Sequence, residues 1–244
     1  MSIPKIIHYC WFGGKEKPKL IDNYMKSWGI LQDYQIIEWN ENNFDINSNP
    51  YVKKAYELKQ YAFVSDYVRL KALNDMGGIY LDTDIEIKKD ISEFLNHKLF
   101  IGFMYNCLLG TAIFGAEKSH PTIKGLLDRY SNLELKITPN NNLYTRYFLD
   151  QFLGFKLNNQ FQLLDYGIAV YPKEYFERPT YNKKMGYSIH HYSASWKEEN
   201  KFKKVIKQSV KFLIGDVSYS ILTHSASISK TPFYEIYLEH KENR

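Results

Sequence analysis

The sequence has few cysteines and no long apolar run, and each of these absences excludes a class of protein. Its two cysteines, Cys10 and Cys107, lie among apolar residues without the spacing of a metal site. We therefore expect buried free thiols in a reducing compartment, not a disulfide framework or a zinc site. No apolar stretch approaches the roughly 18 residues of a membrane-spanning helix. The first residues also lack the basic and apolar segments of a secretory signal, so the sequence predicts a cytoplasmic protein.

Charge of one sign is not in large excess. The 32 basic and 27 acidic residues give a net charge of +5, which suits anionic ligands but does not indicate a nucleic-acid-binding protein. The length of 244 residues and the 44% hydrophobic content predict one large domain, or a domain with a small appendage. Tyrosine is abundant, with 21 residues, and it suits surfaces that hold polar, ring-shaped ligands.

Strand and helix patterns alternate through the first half of the chain. Strand-like segments cover 5–12, 34–40, 77–87, 98–104 and 111–116, and helical ones cover 51–76 and 120–133. The long helix stops at Gly77 and Gly78, which form a favourable C-cap. Segments 161–172 and 187–196 fit late strands or extended loops. This alternation predicts an α/β fold with a largely parallel sheet.

The segment GGIYLDTDIEI (77–87) carries acids on alternate positions of a predicted strand. Because strand side chains alternate between faces, Asp82, Asp84 and Glu86 share a face with Tyr80. One interpretation is a solvent-facing side. The other is a metal site, since two carboxylates about 7 Å apart can bind a hard divalent cation that holds the diphosphate of a nucleotide-linked donor.

The helix before this segment contains a charged pair on an apolar face. At about 100° per residue, Asp66 falls between Leu73 and Leu70, and Arg69 lies on the same side. Burying both charges costs desolvation free energy unless they pair with each other or with a ligand. The pair is therefore either a structural ion pair or the polar floor of a pocket that hydrogen-bonds sugar hydroxyls.

Three stretches together resemble glycosyltransferase family 32, the DxD-type sugar transferases, whose pattern is also similar to the catalytic core of the large clostridial glucosylating toxins. They are IPKIIHYCWFGG, SDYVRLKALNDMGGIYLDTDI and HHYSASW. The resemblance covers residues 1 to about 90 and then the last stretch. It implies a GT-A fold, a Rossmann-like mixed sheet flanked by helices in a catalytic domain of residues 1–196, and sugar transfer with retention of anomeric configuration.

The resemblance also implies roles for the charged residues. Asp84 corresponds to the direct Mn²⁺ or Mg²⁺ ligand, and Asp82 corresponds to the acid that contacts the donor's ribose and sugar beside the metal. Asp66 and Arg69 correspond to the pair that grips the hydroxyls of the donor sugar. We therefore take Asp66, Arg69 and Asp82 as the candidate catalytic residues.

Aromatic residues complete the donor site that the resemblance implies. Trp11 corresponds to a tryptophan that stacks on the nucleotide base, although a core aromatic residue fits the sequence equally well. Tyr80 would line the same pocket. Ser195 and Trp196 resemble the element that covers the diphosphate, whereas the bare sequence of this stretch is more typical of a surface aromatic loop.

The two histidines of HHYSASW leave the last metal ligand open. His191 stands where the related toxins have a metal-binding acid, so it is the first candidate. This departure from the family pattern keeps His190 as the alternative. Adjacent side chains of an extended chain point to different sides, so we expect only one of them to reach the metal.

The polar segment TPNNNLYTRYF (138–148) is a further candidate. Its asparagines and Arg146 are suitable hydrogen-bond donors near the reacting carbon. An equally consistent interpretation is a turn followed by a helix with asparagine at its cap.

From residue 197 the composition changes to a lysine-rich segment, KEENKFKKVIKQSVKFLIG, followed by a polar tail. As a helix, this segment places Phe202, Ile206, Val210 and Leu213 on one side. We assign 197–244 to a helical appendage packed on the catalytic domain. The alternative is that this basic amphipathic helix contacts an anionic membrane at the inner face of the cell.

The acidic pattern together with the family resemblance implies a metal-dependent, retaining hexosyltransferase. The expected donor is a nucleotide-diphosphate sugar, with a UDP-hexose as first candidate. The expected acceptor is a glycan or lipid-linked glycan of a bacterial surface polysaccharide, capsule or lipopolysaccharide. A sugar-nucleotide hydrolase or nucleotidyltransferase could use the same acids, and a non-catalytic carbohydrate-binding protein could use the same residues for recognition alone.

Overall fold

The computed structural model describes residues 2–131, 133–135, 139–193 and 201–242, with backbone alone at 201–208 and 226. The strands are β1 (Ile6–Cys10), β2 (Gln35–Trp39), β3 (Gly78–Leu81), β4 (Ile85–Ile87), β5 (Leu99–Tyr105), β6 (Leu108–Ala116), β7 (Gln162–Leu164), β8 (Ile168–Tyr171) and β9 (Ser188–His190). The helices are α1 (Lys19–Lys26), α2 (Pro50–Glu57), α3 (Tyr61–Met76), α4 (Pro121–Arg129), α5 (Asn140–Gln151), α6 (Lys173–Phe176), α7 (Lys201–Ile228) and α8 (Tyr234–Glu242). The expected α/β class is therefore confirmed.

Among the described residues, seven strands form one sheet in the order β2-β1-β3-β6-β5-β8-β7, and β4 pairs with β9 in a second sheet. β1 runs parallel to β2 and β3, and β5 runs parallel to β8. β6 is antiparallel to β3 and β5, and β7 is antiparallel to β8. The sheet flanked by helices is thus mixed, as the resemblance implies. The prediction of a largely parallel sheet is wrong because the short β5–β6 and β7–β8 connections permit only antiparallel pairing.

Two apolar cores lie on opposite faces of the large sheet. β3 is buried along its whole length in the middle of this sheet. Its Tyr80 belongs to the core under α3 and α5, whereas Ile79 and Leu81 belong to the core on the other face. Phe233, between α7 and α8, is 2% exposed and joins the first core. The C-terminal segment therefore contacts the sheet's helical layer, and the division at residue 196 stays a prediction.

The segment 77–87 is not the continuous strand that its alternation predicts. β3 ends at Leu81, a turn follows, and β4 begins at Ile85 in the second sheet. The Asp82 amide donates to the Ala112 carbonyl (2.7 Å), and the Ile85 amide donates to the Asp82 carbonyl (3.0 Å), which closes the turn. The acids therefore do not form a row along one strand, and Asp82 and Asp84 lie at the turn itself.

The predicted long helix is also interrupted. Residues 51–76 form two helices, α2 and α3, separated at Lys59, whose φ of +56° is in the left-handed region. The predicted stop at Gly77 is present, with φ of +69°. A Cβ at Gly77 would lie 2.7 Å from the Lys118 amide nitrogen, so the tight passage from α3 into β3 requires glycine there.

The C-terminal segment is less regular than an unbroken amphipathic helix. α7 has a kink at Gly215, where φ is +78° and ψ is 158°. Leu213, which the sequence places on the packing side, is 78% exposed. Within the ranges described, no helix is both long enough and apolar enough to cross a membrane. The cytoplasmic location stays a prediction.

Candidate active site

The turn after β3 and the end of β9 meet at one cluster of possible metal ligands. Asp82, Asp84 and His190 each offer one ligand atom, and these atoms lie within 4.8 Å of one another. His190 reaches the cluster because β9 pairs with β4, with His190 opposite Ile85. Two carboxylates and one imidazole are donors that fit a divalent cation, the carboxylates suiting Mg²⁺ and Mn²⁺ alike.

Each ring nitrogen of His190 has a carboxylate neighbour. Nε2 lies 3.3 Å from Asp84 Oδ1, and Nδ1 lies 2.8 Å from Glu177 Oε2. The Tyr192 hydroxyl donates to the same Glu177 oxygen at 2.8 Å. Burial lowers the pKa of His190, but Asp84 and Glu177 outweigh it and hold the pKa well above its ordinary value.

Asp84 is held as an ionised carboxylate. Its Oδ2 accepts hydrogen bonds from the Ser193 amide (2.8 Å) and the Ser193 hydroxyl (3.0 Å). Burial raises the pKa of Asp84, but His190 and the two bonds from Ser193 together bring it well below its usual range. This carboxylate therefore carries its charge across the ordinary pH range.

A second charged network lies beneath the turn, between α3 and the sheet. Arg69 Nη2 lies 3.2 Å from Asp66 Oδ1 and 3.3 Å from Asp82 Oδ1. Arg69 also donates to the Thr111 carbonyl (2.7 Å), and its guanidinium lies 4.3 Å from the centre of the Tyr80 ring. Asp66 and Arg69 are 8% and 5% exposed. The burial of this pair, expected from helical periodicity, is present.

The carboxyls of this network differ in pKa from Asp84. Burial raises the pKa of Asp66 to about 7, against the opposing effect of Arg69. Burial also raises the pKa of Asp82, again opposed by Arg69. The Tyr80 hydroxyl donates to Asp82 at 2.9 Å and orients it. One guanidinium thus compensates the buried Asp66 and the partly buried Asp82 incompletely.

The segment 138–148 contributes one side chain to this network. Asn140, the first residue of α5, donates its amide to Asp66 Oδ1 at 2.7 Å and accepts from the Thr111 hydroxyl at 2.9 Å. Arg146 does not join it. Its guanidinium lies 5.2 Å from the centre of the Phe233 ring. Of the two donor types proposed for this segment, the structure therefore brings asparagine to the site.

The structure separates the two histidines. His191 Nε2 lies 2.9 Å from Glu86 Oε2, and its ring stacks on Tyr24 with centroids 4.0 Å apart. His190 is the one beside Asp82 and Asp84. Glu86, which the sequence left without a role, pairs with His191 and not with the cluster.

Trp11 follows β1, the parallel neighbour of β3. It is half-buried, and its indole N–H donates to the Lys15 carbonyl at 2.6 Å. Because β1 and β3 are parallel, Trp11 and Asp82 both follow carboxyl ends at the same sheet edge, where ligands bind in open α/β sheets. Ser195 and Trp196 lie outside the described residues.

Sequence reasoning missed Glu177, Tyr192 and Ser193. Glu177 is 1% exposed and holds His190, yet it lies in an unremarkable stretch, KEYFERP. One trace of it exists in the sequence: Gly110, inside β6. A Cβ at Gly110 would lie 2.3 Å from Glu177 Oε1, and an interior strand glycine often marks such a close approach.

Sequence comparisons bear on this site directly. The family described as "Glycosyltransferase sugar-binding region containing DXD motif" matches residues 18–101. An uncharacterized glycosyltransferase of Acanthamoeba polyphaga mimivirus is 26% identical over 179 residues, 64% of this chain and 67% of that protein. Inositol phosphoceramide mannosyltransferase 3 of Schizosaccharomyces pombe is 25% identical over 124 residues, 49% of this chain and 35% of that protein.

The chain therefore spans about two thirds of the length of the viral relative and about a third of the yeast one. These matches support the broad family of DXD-motif glycosyltransferases. The expectation of a glycosyltransferase enzyme is confirmed at that level.

Solved structures are more distantly similar. PaToxG glycosyltransferase has 18% sequence identity and a TM-score of 0.48, with 61% of this chain and 69% of that chain covered. The apo form of glycosyltransferase GlyE of Streptococcus pneumoniae has 12% identity and a TM-score of 0.40, with 61% and 44% covered.

Proposed function

We propose that this protein is a metal-dependent, retaining glycosyltransferase of the family 32 type, with a GT-A fold. It would move a hexose from a nucleotide-diphosphate sugar, a UDP-hexose first, to a glycan or lipid-linked glycan of a bacterial surface polysaccharide. The observation that carries this proposal is the convergence of Asp82, Asp84 and His190 within 4.8 Å, directly beside the buried Asp66–Arg69 pair. In this proposal Asp82 belongs both to the metal ligands and to the groups that bind the donor sugar.

The metal-binding half consists of Asp84, Asp82 and His190 Nε2, which would hold Mn²⁺ or Mg²⁺. When bound, the cation neutralises charge that grows on the departing diphosphate. Glu177 accepts from His190 Nδ1 and thereby leaves Nε2 for the metal. Ser193 keeps Asp84 oriented through two hydrogen bonds.

The sugar-binding half consists of Asp66, Arg69 and Asn140, whose carboxylate, guanidinium and amide groups match sugar hydroxyls as acceptors and donors. The sugar would lie over this network, and Trp11 would stack on the base. Tyr80 fixes the carboxylate of Asp82 between the two halves.

Retention has a simple origin in this proposal. The acceptor hydroxyl attacks the anomeric carbon on the face from which the diphosphate leaves. The new carbon–oxygen bond forms as the bond to the phosphate oxygen breaks, and that oxygen takes the hydroxyl proton. Trapping a covalent glycosyl–enzyme adduct by mass spectrometry would contradict this route.

A panel of UDP- and GDP-sugars tests the function. With Mn²⁺ and a glycan acceptor, we expect transfer from one donor, loss of transfer with EDTA, and a loss of about 10²–10³-fold in Asp84→Asn. Glu86→Gln is the matched control, because Glu86 lies in the same segment but pairs with His191. Donor hydrolysis that no acceptor redirects would favour the hydrolase. Binding without turnover of any donor would favour a carbohydrate-binding protein.

We also propose peripheral contact with an anionic membrane. Phe212 and Leu213 of α7 are 89% and 78% exposed beside Lys211, and lysines precede them in the sequence. Exposed apolar side chains among lysines suit an anionic lipid surface. The protein should sediment with phosphatidylglycerol vesicles at low salt and less so as Phe212→Ser. Absence of sedimentation with these vesicles would rule the contact out.

A further inference from the structure

One buried arginine near the metal-ligand candidates has no charged partner among the residues that the structure describes. Arg178, two residues after α6, is 9% exposed. Its guanidinium lies 4.5 Å from the centre of the Tyr192 ring and 5.0 Å from that of Tyr105. Its Nε is buried and has no hydrogen-bond partner among the residues the structure describes. A buried cation in this state gains free energy from any anion that reaches it.

A second group with unpaired atoms also lies against the Tyr105 ring. The His224 ring, on α7, has its centroid 5.2 Å from that of Tyr105. Both of its ring nitrogens are buried and lack a partner in the described part of the chain. Burial lowers the pKa of His224 to about 4, and Lys173 and Arg178 add to the effect. The neutral ring therefore offers one N–H donor and one acceptor.

The topology puts the surroundings of Arg178 and His224 at the same sheet edge as the proposed donor site. Tyr105 ends β5 and Lys173 follows β8, and these strands are parallel to each other. β5 also has the direction of β3, because each is antiparallel to β6. The carboxyl ends of β5 and β8 therefore lie at the edge where Asp82 follows β3. This is the half of the sheet beyond the Asp66–Arg69 pair.

One chain of contacts links Arg178 to the metal-ligand candidates. Tyr192, whose ring faces Arg178, donates its hydroxyl to Glu177, and Glu177 holds His190. A molecule that contacts both Arg178 and Tyr192 would thus lie next to the reacting centre. That is where the sugar acceptor of a transferase must approach.

The charges around Arg178 leave its own charge available. Lys173 is compensated by Glu174 at 2.7 Å. The Glu177 carboxylate is engaged with His190 and Tyr192. No carboxylate in the described ranges forms an ion pair with Arg178. The planar guanidinium of Arg178 suits phosphate and carboxylate, and the imidazole of His224 would add a hydrogen-bond donor to the same oxyanion.

We propose that Arg178, Tyr105 and His224 form a subsite for an anionic group, phosphate or carboxylate, on the acceptor. Arg178 and His224 bind the oxyanion, and the rings of Tyr105 and Tyr192 pack against the attached sugar. The assignment to the acceptor rests on the proposed transferase function; the anion site itself rests on the geometry.

The test uses the full chain with EDTA and without nucleotide sugar, and it measures binding of inorganic phosphate and of acetate by calorimetry. Sodium chloride at matched ionic strength is the reference. We expect oxyanion binding that weakens about tenfold in Arg178→Gln and in His224→Gln, the loss of one hydrogen bond to a charged group. Arg129→Gln, an exposed arginine over Tyr147, should bind as the wild type does. Preference for phosphate or for acetate identifies the anionic group.

Two outcomes would overturn the subsite. One is a wild type that binds neither anion above the chloride reference. The other is equal binding by the wild type and folded Arg178→Gln and His224→Gln. Circular dichroism checks the fold of each variant, and Arg178→Lys, which keeps the charge but loses the planar fork, replaces Arg178→Gln if that variant does not fold. Anion binding by a chain that transfers no sugar from any donor would contradict the proposed function instead.

Discussion

Asp82 and Asp84 are two residues apart, yet they belong to charge networks of opposite character. Asp82 shares Arg69 with Asp66 in the core beneath α3. Asp84 faces His190 at the edge of the small β4–β9 sheet. The pKa values of Asp82 and Asp66 are both raised, whereas the pKa of Asp84 is held well below its ordinary value.

The difference follows from the number of partners for each acid. In the first network, one guanidinium serves a buried and a partly buried carboxylate. Burial therefore dominates at Asp66, and its pKa rises to about 7. In the second, Asp84 has an imidazole and two hydrogen bonds from Ser193. Hydrogen bonds to the charged form and a nearby cation outweigh desolvation there. Asp84 is therefore the permanently charged member of the candidate metal site, and Asp66 can exchange a proton near neutral pH.

Removal of Arg69, the cation that Asp66 and Asp82 share, should have the largest effect on stability. Arg69→Met leaves the buried Asp66 and the partly buried Asp82 without their cation. Loss of one partner from a buried charge network costs about 3–5 kcal/mol of unfolding free energy. Urea unfolding at pH 7.5 measures it. Arg129→Met, which removes an exposed arginine, should change stability by less than about 0.5 kcal/mol. A fully stable Arg69→Met protein would mean that the two acids do not depend on this guanidinium.

Loosening the second network should affect metal binding more than folding. Glu177→Gln weakens the anchor of His190 Nδ1, and loss of such an outer partner weakens metal affinity by about 10–100-fold. Electron paramagnetic resonance of free Mn²⁺ measures the affinity without any donor or acceptor. Glu174→Gln is the control, because Glu174 lies on α6, three residues before Glu177, but pairs with Lys173. Unchanged Mn²⁺ affinity in Glu177→Gln would show that His190 needs no anchor.

The two networks also differ in how far the sequence predicts them. The Asp66–Arg69 pair was accessible from periodicity, because both residues lie on one helix and the apolar arc around them is a local property. The turn between β3 and β4 was not. Ile79, Leu81 and Ile85 belong to one core on both sides of the turn, so their alternation is the same with or without the break.

The choice of His190 over His191 depends on a partner about a hundred residues away. It is set by the register that puts His190 opposite Ile85, and pairing shifted by one residue would exchange the two faces. A single sequence does not contain that register. Glu177 is likewise brought in by a tertiary contact with His190. The sequence indicated the asparagines of 138–148 as candidates, but only the tertiary contact with Asp66 selects Asn140 among them.

The last expected effect is a change in the pH dependence of stability, and it separates the networks by sign. The folded pKa of Asp66, about 7, lies above its ordinary value of 3.8, so the native state binds a proton that the unfolded chain has released between these values. Stability should therefore fall as pH rises from about 4 to 7, and Asp66→Asn should flatten that slope. Asp84, whose folded pKa is lowered, contributes stability that is lost only below its ordinary value. Urea midpoints in EDTA from pH 4 to 8 measure the Asp66 effect, with Asp75→Asn, an exposed acid on α3, as control. Over this range Asp84 should contribute no slope. Parallel curves for wild type and Asp66→Asn would show that Arg69 compensates both acids fully and that the contrast between the networks is wrong.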